Sequence, residues 1–215
     1  MYDVIVLGAT FAAAGIAQRH KEKCLVIERR AQAGYEFFGA LIFSVEETEI
    51  YEHFKSCHTL FCTELVSVQN NSDGFACVTH GVQGFHTYYA RKVIDTRCNA
   101  EISLTKTYNL LIDSKEKPTF SNCRCEKAAG ENRYIVYCPV PLSCGYSEAR
   151  AAIGDIIEQF SETQRLILSA NEFDYHTKEG YPKTKNGILY LPSKAYESPL
   201  LAVAAGLEAA EGANK

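Results

Sequence analysis

Val4-Ile5-Val6-Leu7-Gly8-Ala9-Thr10-Phe11-Ala12-Ala13-Ala14-Gly15 decides the fold, together with Cys24-Leu25-Val26-Ile27-Glu28 a few residues later. Val4 to Leu7 is a run of branched apolar residues, the composition of a strand buried on both faces. From Gly8 to Gly15 the residues are small and helix-permissive, and they predict a helix to about His20. Cys24 to Ile27 reads as a second buried strand, closed by an acid. Strand, tight turn, helix, strand, acid is the order that sets a pyrophosphate on a helix N-terminus and a ribose hydroxyl on a carboxylate. Glu28 follows Gly8 by 20 residues, the spacing that this geometry needs.

The glycine pattern of such a turn is G-x-G-x-x-G. Here Gly8 fills the first position, Thr10 stands at the second and Ala13 at the third. The first glycine permits the tight turn. The second lets the backbone approach the phosphates; Thr10 crowds that approach, although its hydroxyl could donate to a phosphate oxygen. Ala13 has only to permit close helix–strand packing. A βαβ unit with a small-residue turn and no ligand is the plainer reading of the same residues.

The chain has 215 residues, enough for one domain or one domain with a subdomain. A hydrophobic content of 47% and a charged content of 22% are ordinary for a globular protein with a sizeable core. A net charge of −4 gives no electrostatic reason to expect nucleic acid or an anionic membrane as partner. No apolar run approaches the length of a membrane span. The N-terminal apolar run is short and has Asp3 before it where a signal peptide has a basic region, so the expected location is the cytoplasm. Nine cysteines, an odd number at scattered spacing, do not make a disulfide framework, and without a C-x-x-C there is no zinc ribbon or thioredoxin-type pair. Cys123-Arg124-Cys125 is the closest pair, with an arginine that could lower a thiol pKa.

Beyond Glu28, Arg29-Arg30-Ala31-Gln32-Ala33-Gly34 suits a loop passing near phosphates, or simply a solvated loop. Tyr35 to Phe43 is aromatic-rich around Gly39; Tyr35, Phe37 and Phe38 could flank a flat ring or pack in the core. Val45 to Phe54 reads as an exposed amphipathic helix. Leu60–Gln69, Phe75–His80 and Phe85–Ala90 read as three strands, joined by turns at Asn70–Gly74 and Gly81–Gly84, and predict an antiparallel meander. Arg91-Lys92-Val93-Ile94-Asp95-Thr96 reads as a further buried strand returning to the parallel sheet. Thr105–Ile112 and Tyr134–Pro141 are strand-like, the latter closed by prolines. Ser147 is a candidate N-cap, with Glu148 in the first turn, for a helix to about Phe160. Gln164 to Ala170 fits strand or helix, and Asn171 to Asn186 reads as a polar loop. His80 and His86 fall on adjacent strands and read as surface residues; His176, in the polar loop, is the histidine best placed for a substrate. Arg150 could meet an anionic substrate or face water. No nucleophilic triad, P-loop or metal-ligand run is present.

In this order the segments resemble the FAD-dependent oxidoreductases whose FAD domain is of the glutathione-reductase type. Tyr2 to Glu28 matches that family's opening, Leu60 to Ala90 its meander and Arg91 to Thr96 its returning V-I-D-A-T-G strand. Asn186–Leu191 with Ser198–Ala210 matches its closing strand and helix. The resemblance implies an α/β fold: a parallel Rossmann-like sheet with an inserted three-stranded antiparallel meander and a small interleaved substrate-side region. Residues 1–97 and 186–215 would form the dinucleotide-binding domain, and 98–185 a substrate-side region that does not fold independently. It implies FAD as cofactor, held by Gly8, Ala9, Thr10, Phe11, Ala12, Ala13, Glu28, Arg29, Gly39, Val66, Thr96 and Lys194. It also implies a small-molecule substrate or electron acceptor that the sequence does not identify, and it leaves a homodimer open. Two departures stand out. Thr96-Arg97-Cys98 replaces A-T-G, and Pro192-Ser193-Lys194 stands where the family has Gly-Asp. Lys194 could pair with a phosphate, or mark a site that no longer holds FAD. Three readings follow: an FAD-binding oxidoreductase, a non-catalytic relative that serves as a binding or regulatory subunit, and an NAD-binding protein with the same βαβ unit. The meander and closing helix favour FAD over NAD.

Overall fold

The computed structural model describes residues 1–42, 50–178 and 180–212. In chain order the elements are β1 (Tyr2–Leu7), α1 (Phe11–His20), β2 (Cys24–Ile27), α2 (Tyr35–Phe38), α3 (Ile50–Phe54), β3 (His58–Leu60), β4 (Glu64–Asn71), β5 (Gly74–Gly81), β6 (Gly84–Asp95), β7 (Ser103–Ser114), β8 (Arg124–Lys127), β9 (Arg133–Val140), α4 (Tyr146–Ile157), β10 (Gln164–Ser169), β11 (Asp174–Thr177), β12 (Lys183–Lys185), β13 (Ile188–Tyr190) and α5 (Pro199–Gly212). They form two compact units. The first comprises Met1–Tyr35, Ser44–Cys98 and Lys178–Lys215; the second comprises Glu36–Phe43 and Asn99–Thr177.

The first unit is built on a sheet of strand order β12-β13-β6-β1-β2-β3, to which the β4–β5 hairpin is joined through β6. From β13 to β3 the neighbours run parallel, as expected for strands whose two faces are both covered. Val4 to Leu7 and Cys24 to Ile27 are almost fully shielded from solvent. α1 is buried from Phe11 to Ala17 and crosses α5 at very close range. A Cβ on Gly15 would stand 2.1 Å from the Val203 carbonyl oxygen, and one on Gly206 would stand 2.0 Å from that of Ala12. The small residues of Ala12-Ala13-Ala14-Gly15 thus serve helix–helix packing as well as the turn before them.

This parallel sheet with inserted antiparallel strands is the architecture expected from the sequence, with three corrections of detail. Leu60 does not open the meander. It closes the short parallel strand β3, and the chain breaks at Cys62, whose φ of 52° is left-handed, before β4 begins at Glu64. Next, the third meander strand and the returning strand are one continuous strand, β6. Its first half pairs antiparallel with β5 and its second half parallel with β1; Ala90 is opposite both Phe75 and Tyr2. Finally, the expected loop at 171–186 contains β11 and β12. Of the helix expected at 45–54, residues 45–49 lie outside the described residues, and Ile50–Phe54 is helical.

The second unit is an antiparallel sheet of order β10-β7-β9-β8, with β11 pairing beside β10 on the same edge of β7. Tyr108, Leu110 and Ile112 alternate along one face of β7 and pack with Val136, Cys138 and the α4 residues Ala149 and Ile153. β8, Arg-Cys-Glu-Lys, carries no strand signature and is specified by its pairing with Tyr134–Tyr137. Gln164–Ser169 is strand, not helix. Ser147 is not the N-cap of α4. Gly145 occupies that position, because Glu148 Oε2 accepts from the Gly145 N–H at 2.7 Å and so fixes the first turn two residues earlier than expected from Ser147. The helix ends at Ile157, before the expected Phe160.

Candidate functional site

β1 ends at Leu7, and Gly8 turns the chain with φ +93°, a conformation that favours glycine. The turn is fastened from three sides. The Gly8 N–H donates to the Ile27 carbonyl at 2.8 Å, tying it to β2. The Ala9 N–H donates to Glu28 Oε2 at 2.9 Å. On the other side, Thr96, at the end of β6, donates its hydroxyl to the Leu7 carbonyl at 2.9 Å and accepts from Thr10 Oγ1 at 2.8 Å. Thr10 is the N-cap of α1: its side-chain oxygen accepts from the Ala13 N–H at 3.2 Å. Phe11, Ala12 and Ala13 form the first turn of that helix and are buried. The first turn of a helix leaves N–H groups outside the intrahelical ladder, and an anion placed there meets both those groups and the positive end of the helix dipole.

Thr10 corrects one expectation. Its hydroxyl is committed inward, donating to Thr96 and accepting from Ala13, so it does not present its proton to a phosphate. The residue is only 5% exposed. Thr10 and Thr96 together replace glycine-based flexibility with a hydroxyl chain that locks β1, α1 and β6 at the turn.

Glu28 is also 5% exposed. One carboxylate oxygen takes the Ala9 N–H and the other the Arg30 N–H at 2.8 Å, with the Arg30 guanidinium 3.7 Å away. Each oxygen retains a second lone pair, so the group can still accept from a ligand hydroxyl. Arg30 itself lies over the Tyr35 ring, 4.8 Å from its centroid.

Arg97 is a participant that the sequence showed only as part of Thr96-Arg97-Cys98, which stands where the family has A-T-G. Its Nε and Nη2 grip the two Asp95 oxygens at 2.9 and 2.7 Å, and its Cγ stands 2.8 Å from where a Cβ on Gly8 would be. The side chain therefore lies across the turn. Burial opposes its charge, but the hydrogen bonds and charge of Asp95, with Glu28 and Tyr190 beyond, more than offset this and hold the guanidinium firmly protonated. Ser193 is a second such participant. Its N–H donates to the Thr96 carbonyl at 3.0 Å, while its fully buried hydroxyl finds no hydrogen-bond partner among the described residues. The signal for it was its place inside Pro192-Ser193-Lys194. Lys194 follows on the same short 3-10 turn, and its N–H donates to Cys98 Sγ at 3.4 Å.

The structure thus brings together Gly8, Ala9, Thr10, Glu28 and Thr96, with the first turn of α1 above them and Lys194 one residue beyond Ser193. Arg29 is exposed in the loop after Glu28. Val66 is 54% exposed at a bulge in β4, where the register slips between Leu65 and Ser67. Gly39 belongs to the second unit, where its carbonyl accepts from the Asn171 and Glu172 N–H groups. Phe37 and Phe38 belong to that unit as well. His80 and His86 are exposed, as is His176, which lies on β11 instead of in a loop; Arg150 is exposed on α4. Among the described residues no cluster of His, Cys, Asp and Glu could hold a metal, and no helix is long and apolar enough to cross a membrane.

No protein-family model matches the chain, and no curated protein sequence matches it. Solved structures do. The chain is similar to CabE, an aromatic hydroxylase from angucycline biosynthesis (12% identity, TM-score 0.60, 99% of this chain and 62% of that one). It is similar to aklavinone-11 hydroxylase, solved with FAD and aklavinone (12% identity, TM-score 0.58, 98% and 61%). It is likewise similar to glycine oxidase from Geobacillus kaustophilus (13% identity, TM-score 0.60, 99% and 94%). At such identities the likeness is one of fold. The chain spans about three fifths of the length of the two hydroxylases.

Proposed function

We propose that this chain binds FAD at the Gly8 turn and acts as an oxidoreductase on a small molecule. The observation that carries the reading is the Glu28 carboxylate, buried at the end of β2 and in contact with the Ala9 N–H of the turn. That arrangement places a hydroxyl-accepting group and a helix N-terminus on one short stretch of backbone, which is what an adenosine diphosphate moiety requires. The residues present fit such a group. Gly8 has the left-handed turn, Glu28 keeps free lone pairs, and Ser193, whose N–H donates to the Thr96 carbonyl, has a buried hydroxyl without a partner among the described residues.

In this reading Glu28 accepts from the adenosine ribose, the first turn of α1 faces the pyrophosphate, and Arg97 and Lys194 supply positive charge beside it. The glutathione-reductase-type arrangement of the FAD domain belongs to the same proposal. Bound FAD supplies the redox chemistry of its ring, so the chain needs no acid–base dyad of its own. The hydroxylase and oxidase folds among its structural neighbours support this reading over a non-catalytic relative.

The test is an absorbance spectrum of protein purified without added cofactor, followed by heat release and identification of the nucleotide. Released FAD is the expected result. A colourless protein that takes up no added FAD overturns the proposal.

A further inference from the structure

β2 and β3 run parallel with Leu25 opposite His58, Val26 opposite Thr59 and Ile27 opposite Leu60. One step back, the same register sets Cys24 beside Cys57. Neighbouring strands lie about 4.8 Å apart, inside the range of about 4.4–6.8 Å between Cα atoms that a disulfide spans. Cys57 precedes the first residue of β3, so its backbone is outside the ladder and can adjust. The environments of the two thiols differ. Cys24 is fully buried on β2, whereas Cys57 is partly exposed. Cys57 Sγ donates to the Phe54 carbonyl at 3.3 Å and lies 3.4 Å from Thr59 Oγ1.

We propose that Cys24 and Cys57 form a peroxide-sensitive dithiol, with Cys57 as the attacking sulfur and Cys24 as the resolving one. The Cys57 thiolate attacks one oxygen of a hydroperoxide and the O–O bond breaks. The leaving oxygen takes a proton and departs as water or alcohol, and Cys57 becomes a sulfenic acid. Cys24 sulfur then displaces that hydroxyl as water, and the S–S bond forms. Two thiols lose two electrons to one peroxide, and a small dithiol reductant reverses the change.

The division of roles follows from exposure, because a peroxide reaches the partly exposed Cys57 before the buried Cys24. A hydrogen bond from Cys24 lowers the Cys57 pKa to about 7 against the opposing effect of burial, with help from Thr59 and a backbone N–H. The same bond and burial push Cys24 well up, so Cys24 keeps its proton. Of the charged and titratable neighbours, Lys55 is paired with Glu52 at 2.6 Å, His58 Nδ1 is bonded to the Tyr2 hydroxyl at 2.8 Å, and Tyr2 is itself in electrostatic contact with Cys24. Cys123 and Cys138 in the second unit provide a contrast. They also share a hydrogen bond, but burial raises both, so neither is a ready thiolate.

The experiment treats the reduced, full chain with hydrogen peroxide, blocks remaining thiols, and digests with trypsin and chymotrypsin without reductant. Cleavage after Phe61 separates Cys57 from Cys62. The expected product is a Cys24–Cys57 linked peptide, formed at least ten-fold faster than any link between Cys123 and Cys138. Alkylation of Cys57 should be half-maximal near pH 7. In Cys24→Ala, dimedone should trap the sulfenic acid on Cys57. Cys57 sulfenic acid that persists unlinked in the unmodified chain would overturn the proposal, as would Cys57 alkylation that follows an ordinary thiol profile. Both readouts use the unsubstituted chain, so they stand even if the variant misfolds.

Discussion

Around the Gly8 turn of the first unit three buried polar side chains stand at the ends of strands, whereas in the second unit three others lie within the long strand β7. Thr10, Thr96 and Glu28 bind the backbone where β1, β2 and β6 stop. Along β7, by contrast, Lys106, Thr107 and Asn109 are buried mid-strand. Lys106 donates to the Leu142 and Cys144 carbonyls at 2.8 and 2.5 Å and lies 4.1 Å from the centroid of the Phe173 ring. Thr107 donates to Asn109 Oδ1 at 2.7 Å, and Asn109 Nδ2 donates to the Ala40 carbonyl at 2.8 Å. Polar groups at strand ends leave backbone N–H groups and lone pairs within reach of a ligand. Polar groups in mid-strand are consumed by the fold, here in fastening Ala40 and the 142–144 turn. The packing differs in the same sense. The first unit brings backbones together through Gly15 and Gly206, while the second fills its core with Tyr108, Phe120 and Phe173.

The comparison breaks most visibly at the α1–α5 crossing. Gly15→Val should cost about 3 kcal/mol or more, because the atoms it meets are backbone and cannot yield; chemical denaturation measures it. Next is Asn109→Ala, which strands the buried Ala40 carbonyl and should lower stability by about 1–3 kcal/mol. Flavin affinity should not change in that variant; a loss of affinity would mean that the second unit's polar network also serves the ligand. Thr10→Ala removes an N-cap and the bond to Thr96, for about 1–2 kcal/mol. Since that hydroxyl points inward, FAD affinity measured in the still-folded variant should stay within a few-fold of the parent.

The smallest effect concerns pH. Burial lowers the His20 pKa, with Asp3 working against it and Lys92, Arg19 and Lys23 adding to it. A base with a lowered folded pKa contributes stability that is fully present above its unfolded value near 6.5 and is lost as pH falls through the folded value. His20→Gln should therefore flatten the acid side of the stability profile just below pH 6.5, read from thermal midpoints across pH.

The opening βαβ unit was legible because three independent signals agree there: branched runs, small residues between them, and an acid at the right distance. β6 was misdivided because its halves follow different patterns. Phe85–Ala90 is half-exposed and Arg91–Asp95 returns to the core, yet no turn residue separates them. β8 was invisible because pairing alone makes it a strand. At the site, Glu28 and Gly8 could be read from spacing. The inward Thr10 hydroxyl depends on Thr96, 86 residues away, and Arg97 reaches Gly8 across neighbouring strand ends. Contacts of that range leave no local pattern in a sequence.

The central claim is that Glu28 holds the adenosine half of a flavin dinucleotide. Its most direct test is to titrate FAD and FMN into cofactor-free protein and into Glu28→Ala, following flavin fluorescence. FAD should bind and FMN, which lacks the adenosine, should bind at least ten-fold more weakly. Glu28→Ala should weaken FAD by about 1–3 kcal/mol and leave FMN unchanged. Equal affinity for the two flavins, or an unchanged FAD titration in Glu28→Ala, would contradict it.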